Sequence, residues 1–171
     1  RSLALQKSVD GEFEVIIADD GSQDETASIV HEFARTAKFP LKWITHPHKG
    51  FRVALCRNDG VRASTAPYFL FTDSDCIFPP DHLQKHLAAR RPGIVRAGEC
   101  IRLDQKVSAR IDAAAIDSGA YRSLGTLKER HRLKIKRIKD SYYFWIRHTT
   151  KPKLAGYNIG ISREDLEAVN G

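Results

Sequence analysis

Short apolar runs alternate with helical apolar stripes along this chain. Glu14-Val15-Ile16-Ile17-Ala18 is continuous and β-branched, and it stops at Asp19-Asp20-Gly21-Ser22; it predicts a buried strand with two carboxylates at its carboxyl end. Ser22-Gln23-Asp24-Glu25 supplies helix-start chemistry, and Ala27, Ile29, Val30, Phe33 and Ala34 form a stripe that Pro40 closes. Leu41 to Thr45 reads as the next strand, and His46-Pro47-His48-Lys49-Gly50 as a loop. Helical spacing returns from Phe51 to Ala63 through Val53, Ala54, Asn58 and Val61. Tyr68-Phe69-Leu70-Phe71-Thr72 is then a strand that delivers Asp73-Ser74-Asp75-Cys76.

Beyond it, Pro79-Pro80-Asp81 opens a helix reaching Ala89, and Gly93 to Gly98 is a further strand. Leu127, His131, Ile135, Ile138, Tyr142 and Trp145 recur at three- and four-residue steps, predicting an amphipathic helix whose apolar stripe packs on the sheet. Leu154 to Ser162 returns to a strand. Ser162-Arg163-Glu164-Asp165 has the form of a capping box for a helix through Val169, which accounts for Glu164-Asp165 without catalysis. At the start, Ser2 to Gln6 reads as the tail of a helix.

Strand, helix, strand, helix, strand at this spacing predicts an α/β fold: a mainly parallel sheet flanked by helices in three α/β/α layers. Parallel strands present the same end to one crevice, so Asp19-Asp20 and Asp73-Asp75 are expected to face one site. With 171 residues and 42% hydrophobic content, one core and one domain over 1–171 are expected, with 99–153 a basic helical insertion.

Charge changes this picture locally. Between Arg122 and Lys153 stand eleven Lys/Arg against Glu129 and Asp140, more than the whole +7 surplus of the chain. That segment could attract anionic lipid headgroups or a polyanionic substrate, although a solvated surface helix is the plainer reading. Cys56, Cys76 and Cys100 are widely spaced with no Cys-x-x-Cys pair, so reduced cytosolic thiols are expected and neither a zinc knuckle nor a redox motif. No apolar run approaches membrane-spanning length. The sequence starts at Arg1, lacks Met and ends on the turn dipeptide Asn170-Gly171, and so reads as a fragment truncated at both ends.

Two carboxylates one residue apart repel in a partly dry site unless a cation is close. Alone, Asp73-Ser74-Asp75 is more often an acidic turn in solvent. Beside a second acidic strand end and the basic Lys49, Arg52 and Arg57, a divalent cation shared with phosphates is the coherent reading, since carboxylate oxygens suit hard ions. His46 and His48 are expected to be solvent-facing loop residues, and Trp43 and Trp145 core or interface.

Val15-Ile16-Ile17-Ala18-Asp19-Asp20-Gly21-Ser22, the Lys49-Gly50-Phe51-Arg52 to Arg57-Asn58-Asp59-Gly60 segment, Phe69 to Asp75, and Gly156-Tyr157-Asn158-Ile159-Gly160-Ile161-Ser162-Arg163 stand in the order found in glycosyltransferase family 2, which the chain resembles. The resemblance implies a GT-A, Rossmann-like fold and a metal-dependent, inverting transfer of a hexosyl or N-acetylhexosaminyl group. The donor it implies is a nucleotide-diphosphate sugar, UDP first. The acceptor would be a glycan, polysaccharide or lipid-linked molecule, as in cell-envelope polysaccharide synthesis. It implies that Asp20 meets the base, that Asp73 meets the ribose or metal shell, and that Asp75, with Asp73, ligates Mn2+ or Mg2+ in the manner of a DxD motif. Lys49, Arg52 and Arg57 become nucleotide contacts and Asn158 a donor or acceptor contact. The family's catalytic base lies in an acidic pair that would fall beyond Gly171, so no catalytic residue is assigned. The separated cysteines and the basic helix make a cytoplasmic setting the expected one, at the inner face of a membrane with peripheral contact through that helix, and no nucleic-acid partner is expected.

Two other readings stay open from the residues. A nucleic-acid-binding module using the basic helix would explain the charge but not the acidic strand ends. A metal-dependent nucleotidyltransferase would explain the carboxylates, but no Gly-rich phosphate loop follows the first strand.

Overall fold

A computed structural model describes residues 1–7, 9, 13–151 and 154–169. The expected turn at Asn170-Gly171 lies outside them. Strand β1 (Val15–Asp19) pairs in parallel with β2 (Leu41–Thr45), Val15 opposite Leu41 and Asp19 opposite Thr45. Helix α1 (Thr26–Ala34) makes the crossover. It begins one residue after the acidic start signal, where Asp24 accepts from the Thr26 N–H at 3.0 Å. Its stripe is only partly used: Val30 is buried, Phe33 and Phe39 lie 6.4 Å apart, and Ile29 faces solvent.

Helix α2 (Val53–Arg62) packs against β1 and leads to β3 (Tyr68–Thr72). The period of two along β3 sorts its neighbours. Phe69 and Phe71 stack at 6.2 Å under Arg163 and Arg57, the first from α7 (Arg163–Ala168) and the second from α2. Tyr68 points the other way, so that a Cβ on Gly160 would collide with its hydroxyl and lie 2.7 Å from Nδ1 of His86 in α3 (His82–Ala89). Helices therefore lie on both faces of this strand.

The predicted parallel character is divided. Strand β4 shrinks to Arg96–Ala97, and both β3 and β4 pair antiparallel to β5 (Asn158–Ser162), which lies between them. Thus β3 and β4 share a direction, joined through α3 as a crossover should join them, and β5 is inserted against both. The chain enters β5 beside the carboxyl end of β3, with Asn158 opposite Thr72, so it can only run back. Ser162 caps α7 by accepting from the Asp165 N–H at 3.0 Å, as read from the sequence, while the Asp165 carboxylate accepts from the Ser162 hydroxyl at 2.6 Å and from the Gly93 N–H at 3.0 Å in place of the Ser162 N–H.

Residues 2–5 form a 3-10 turn rather than a helix tail. Gln6 fastens this segment ahead of α3, donating to the Pro79 carbonyl at 2.9 Å and accepting from the Leu83 N–H at 3.0 Å. Phe78 is buried there and stacks on His82 at 4.7 Å. After β4 come α4 (Gln105–Ser108), α5 (Ala113–Ser118), a 3-10 turn and the long α6 (Leu127–Trp145).

Helix α6 corrects two expectations. Its apolar stripe does not pack on the sheet: Leu127 is 86% exposed and Trp145 79%, so Trp145 is not a core residue. The side bearing Glu129, Arg132, Lys136 and Asp140 faces the protein instead. Arg132 donates to the Cys100 carbonyl at 3.0 Å, Glu129 accepts from the Arg102 N–H at 3.2 Å, and Lys136 meets Glu99 at 2.9 Å. Periodicity located the stripe, but the polar partners offered by residues 99–102 decided which side turns inward. No helix among the described residues is long and apolar enough to cross a membrane.

Candidate functional site

The two carboxylates at the end of β1 have different surroundings. Asp19 is a loop staple, accepting from the N–H groups of Gly21 and Ser22 at 3.0 and 2.9 Å and from the Thr45 hydroxyl at 2.7 Å. Burial alone would raise its pKa, but the hydroxyls of Ser22 and Thr45 and these N–H groups outweigh it and hold the carboxyl below the usual range. The turn needs its glycine: Gly21 has φ +86°, and a Cβ there would overlap the backbone of His48. Asp20 turns towards α2. It accepts from the Arg52 N–H at 2.6 Å and from the guanidinium Nε at 3.1 Å, and forms an ion pair with Nη2 at 2.9 Å. The Arg52 backbone bond is the main reason its pKa is lowered, followed by the guanidinium.

Arg52 is in turn saturated on that side, with Nη2 2.7 Å from Nδ1 of His46 and 2.5 Å from the Pro47 carbonyl. His46 is thus not a solvent-facing loop residue. It accepts from Arg52 at Nδ1, which leaves its proton on Nε2, 3.6 Å from the buried Cys56 sulfur. His48 remains exposed and meets the Asp20 carbonyl at 2.8 Å.

At the end of β3, Asp73 and Asp75 are both exposed. Asp73 lies 3.7 Å from the Arg57 guanidinium, which also donates to the Gly156 carbonyl at 3.0 Å and sits 5.8 Å over the Phe71 ring. Arg57 therefore ties three segments together. Arg52 and Arg57 are five residues apart, about 7 Å of rise, so α2 contacts both acidic strand ends within its first turns. Asp75 forms no ion pair among the described residues, and neither does the exposed Lys49.

Asn158 lies beside Thr72 at the mouth of β5, but its side-chain oxygen is 2.9 Å from Nε2 of His86, and its amide leaves no room for a Cβ on Gly98. Its neighbour Tyr157 donates to Glu99 at 3.0 Å; burial first, and then this carboxylate, raise the phenol pKa. Neither His86 nor Glu99 stood out in the sequence, because each owes its role to a contact made across 58 or more positions.

Two arrangements could be tried for a cation. Asp20, His46 and Cys56 are the three-residue cluster of ligand type among the described residues. A guanidinium already lies among them, and burial raises the Cys56 thiol pKa, so this set does not suit a metal. Asp73 and Asp75 are both open and no guanidinium is hydrogen-bonded to either among the described residues, and ions such as Mg2+ take one or two carboxylates and complete their shell from phosphates and water.

The model of the family described as "Glycosyl transferase family 2" matches residues 1–91, which carry both acidic strand ends and α2. The chain belongs to glycosyltransferase family 2. It is 33% identical over 108 residues to validoxylamine A glucosyltransferase of Streptomyces hygroscopicus subsp. limoneus, covering 61% of this chain and 23% of that one. It is 34% identical over 74 residues to chondroitin synthase of Pasteurella multocida, covering 43% of this chain and 7% of that one. Among solved structures it superposes on a mannosyltransferase of Pyrobaculum calidifontis in complex with GDP-Man and Mn2+, with TM-score 0.63 and 17% identity over 99% of this chain and 41% of that one. The fold is therefore the expected α/β GT-A class. The chain spans less than a quarter of the length of these two curated relatives.

Proposed function

We propose that the protein transfers a sugar from a nucleotide-diphosphate donor, with a divalent cation, to a glycan, polysaccharide or lipid-linked acceptor, and with inversion. The observation that carries this reading is the attachment of both acidic strand ends to the first turns of α2, with Asp75 left open. The mannosyltransferase that shares the fold holds GDP-Man and Mn2+, which supports the same class of donor and ion here. UDP is the first nucleotide to test and GDP the second.

The residues take roles according to their remaining valences. Asp20 accepts two hydrogen bonds from Arg52, one on each carboxylate oxygen, and keeps lone pairs on both for the N–H of a base. Arg52 orients that carboxylate, and Arg57 acts through Asp73 and the Gly156 carbonyl. Lys49 is the cation available to the diphosphate. Asp75, with Asp73, would hold Mn2+ or Mg2+, which as a Lewis acid stabilises charge on the departing phosphate oxygen. Asn158 contributes by fixing the chain beside Thr72. No residue of 1–171 is assigned as the base that accepts the acceptor's proton. Three free cysteines support a cytoplasmic setting.

Calorimetry with UDP and GDP, with and without Mn2+, tests this. Metal-dependent binding should weaken in Asp75→Ala by more than the roughly ten- to hundred-fold typical of outer-shell changes, with the circular dichroism unchanged. Absence of nucleotide binding would overturn the reading, and metal-independent binding that survives Asp75→Ala would overturn the metal site.

A further inference from the structure

Helix α6 divides its charges by face. At 100° per residue, Glu129, Arg132, Lys136 and Asp140 fall on the side turned to the protein, where they pair with one another or with residues 99–102. Both acids of the helix are consumed there. The opposite side carries Leu127, His131, Ile135, Ile138, Tyr142 and Trp145, all exposed. Lys128 and Lys139 border this stripe on one edge, and Arg130, Lys134 and Arg137 on the other, with no carboxylate among them. At the end of the helix, Arg147 and Lys151 border Tyr143, Phe144 and Trp145 around an open concavity of about 510 Å³.

We infer that this outward face of α6 is a docking surface for an anionic phospholipid bilayer. The occupant follows from charge complementarity. A covering protein segment would have to set carboxylates against both edges of the stripe, because Lys128, Lys134, Arg137 and Lys139 have no ion-pair partner among the described residues and would otherwise desolvate at a cost, whereas Arg130 already donates to the Gly125 and Arg122 carbonyls. A polyanion would be served by the cations alone, and the stripe would stay wet. A bilayer surface satisfies both: the stripe enters the boundary between headgroups and acyl chains, the flanking cations meet lipid phosphates, and Tyr142 and Trp145 sit at the depth that amphipathic rings prefer. Nineteen residues give the helix a footprint about 28 Å long. This surface stands independently of the nucleotide reading, because its test is binding and not turnover.

The intact protein would be sedimented with vesicles of phosphatidylcholine, alone and mixed with phosphatidylglycerol. Binding is expected only to the mixed vesicles and should fall with salt. Lys134→Gln with Arg137→Gln should weaken it about thirty-fold, at about five-fold per cation, and Ile138→Ser several-fold. All three positions are exposed, so the variants should fold, as circular dichroism will check. Trp43 and Trp145 are the two tryptophans, so a blue shift of emission on mixed vesicles that disappears in Trp145→Phe reports insertion of this face. Several outcomes would overturn the inference: no binding to mixed vesicles, equal binding to phosphatidylcholine alone, self-association relieved by Ile138→Ser without vesicle binding, or capture by heparin without vesicle binding.

Discussion

The region up to residue 91 and helix α6 solve the same problem in opposite ways. In the first, the apolar side chains of the strands are largely covered, though Ile29 and Phe51 face solvent, and charges are left at strand ends, where Arg52 and Arg57 hold acids in reach of solvent. In α6 the charges of Glu129, Arg132, Lys136 and Asp140 are turned inward and paired, and the apolar stripe is left outside with the remaining cations. The first arrangement stabilises the domain and offers chemistry at its rim. The second contributes little to folding and offers a surface. If this contrast is right, substitutions of similar size should have very different effects in the two regions.

The largest effect is expected at Phe78. Its ring is buried against His82, its N–H meets the Ser2 hydroxyl at 3.2 Å and its carbonyl accepts from Tyr121 at 2.8 Å. Phe78→Ala should lower stability by about 3–5 kcal/mol in urea unfolding. A loss below about 1 kcal/mol would mean that this part of the core is no better packed than α6.

Acid should distinguish the regions next. Burial first, and then the neighbouring His86, lower the pKa of His82 from 6.5 to about 4, and burial lowers His86 as well. Between these values the unfolded chain takes up a proton that the folded chain refuses. The histidine contribution to stability is therefore complete above about pH 7, falls as the pH drops towards 4, and levels off below, with up to about 3 kcal/mol at stake for His82. The depressed carboxylates Asp19 and Asp20 lose their contribution only below the ordinary carboxylate range, so melting temperatures between about pH 7 and pH 5 isolate the histidines. His82→Phe should flatten that slope. An unchanged slope would place the acid sensitivity elsewhere.

The two regions also differ in how much of them could be read in advance. The apolar runs ending in Asp20 and Asp73 are local patterns, and so is the cap from Ser162 to Asp165; each emerged where it was expected. What escaped was long-range. The insertion of β5 between β3 and β4 depends on where the chain re-enters the sheet. The orientation of α6 depends on Glu99, Cys100 and Arg102 offering polar partners that no period encodes. At the site, the acids were legible because strand ends expose them. The partner of each was not, and Arg52 was expected on a phosphate but is occupied by Asp20, His46 and Pro47.

The smallest expected effect tests the comparison most directly. Ile138 lies in the middle of a helix, at a position that would ordinarily be core, yet it is 63% exposed. If the stripe faced the sheet, Ile138→Ser would remove buried methylenes and strand a hydroxyl, at a cost of about 2–5 kcal/mol. With the stripe outside, the substitution removes contacts with solvent only, and serine costs the helix a few tenths of a kcal/mol through propensity. Urea unfolding of the vesicle-free protein should therefore move by no more than about 0.5 kcal/mol. A loss of 2 kcal/mol or more, on the scale of that same core estimate, would return the stripe to the interior. It would also remove the basis for a lipid-facing surface.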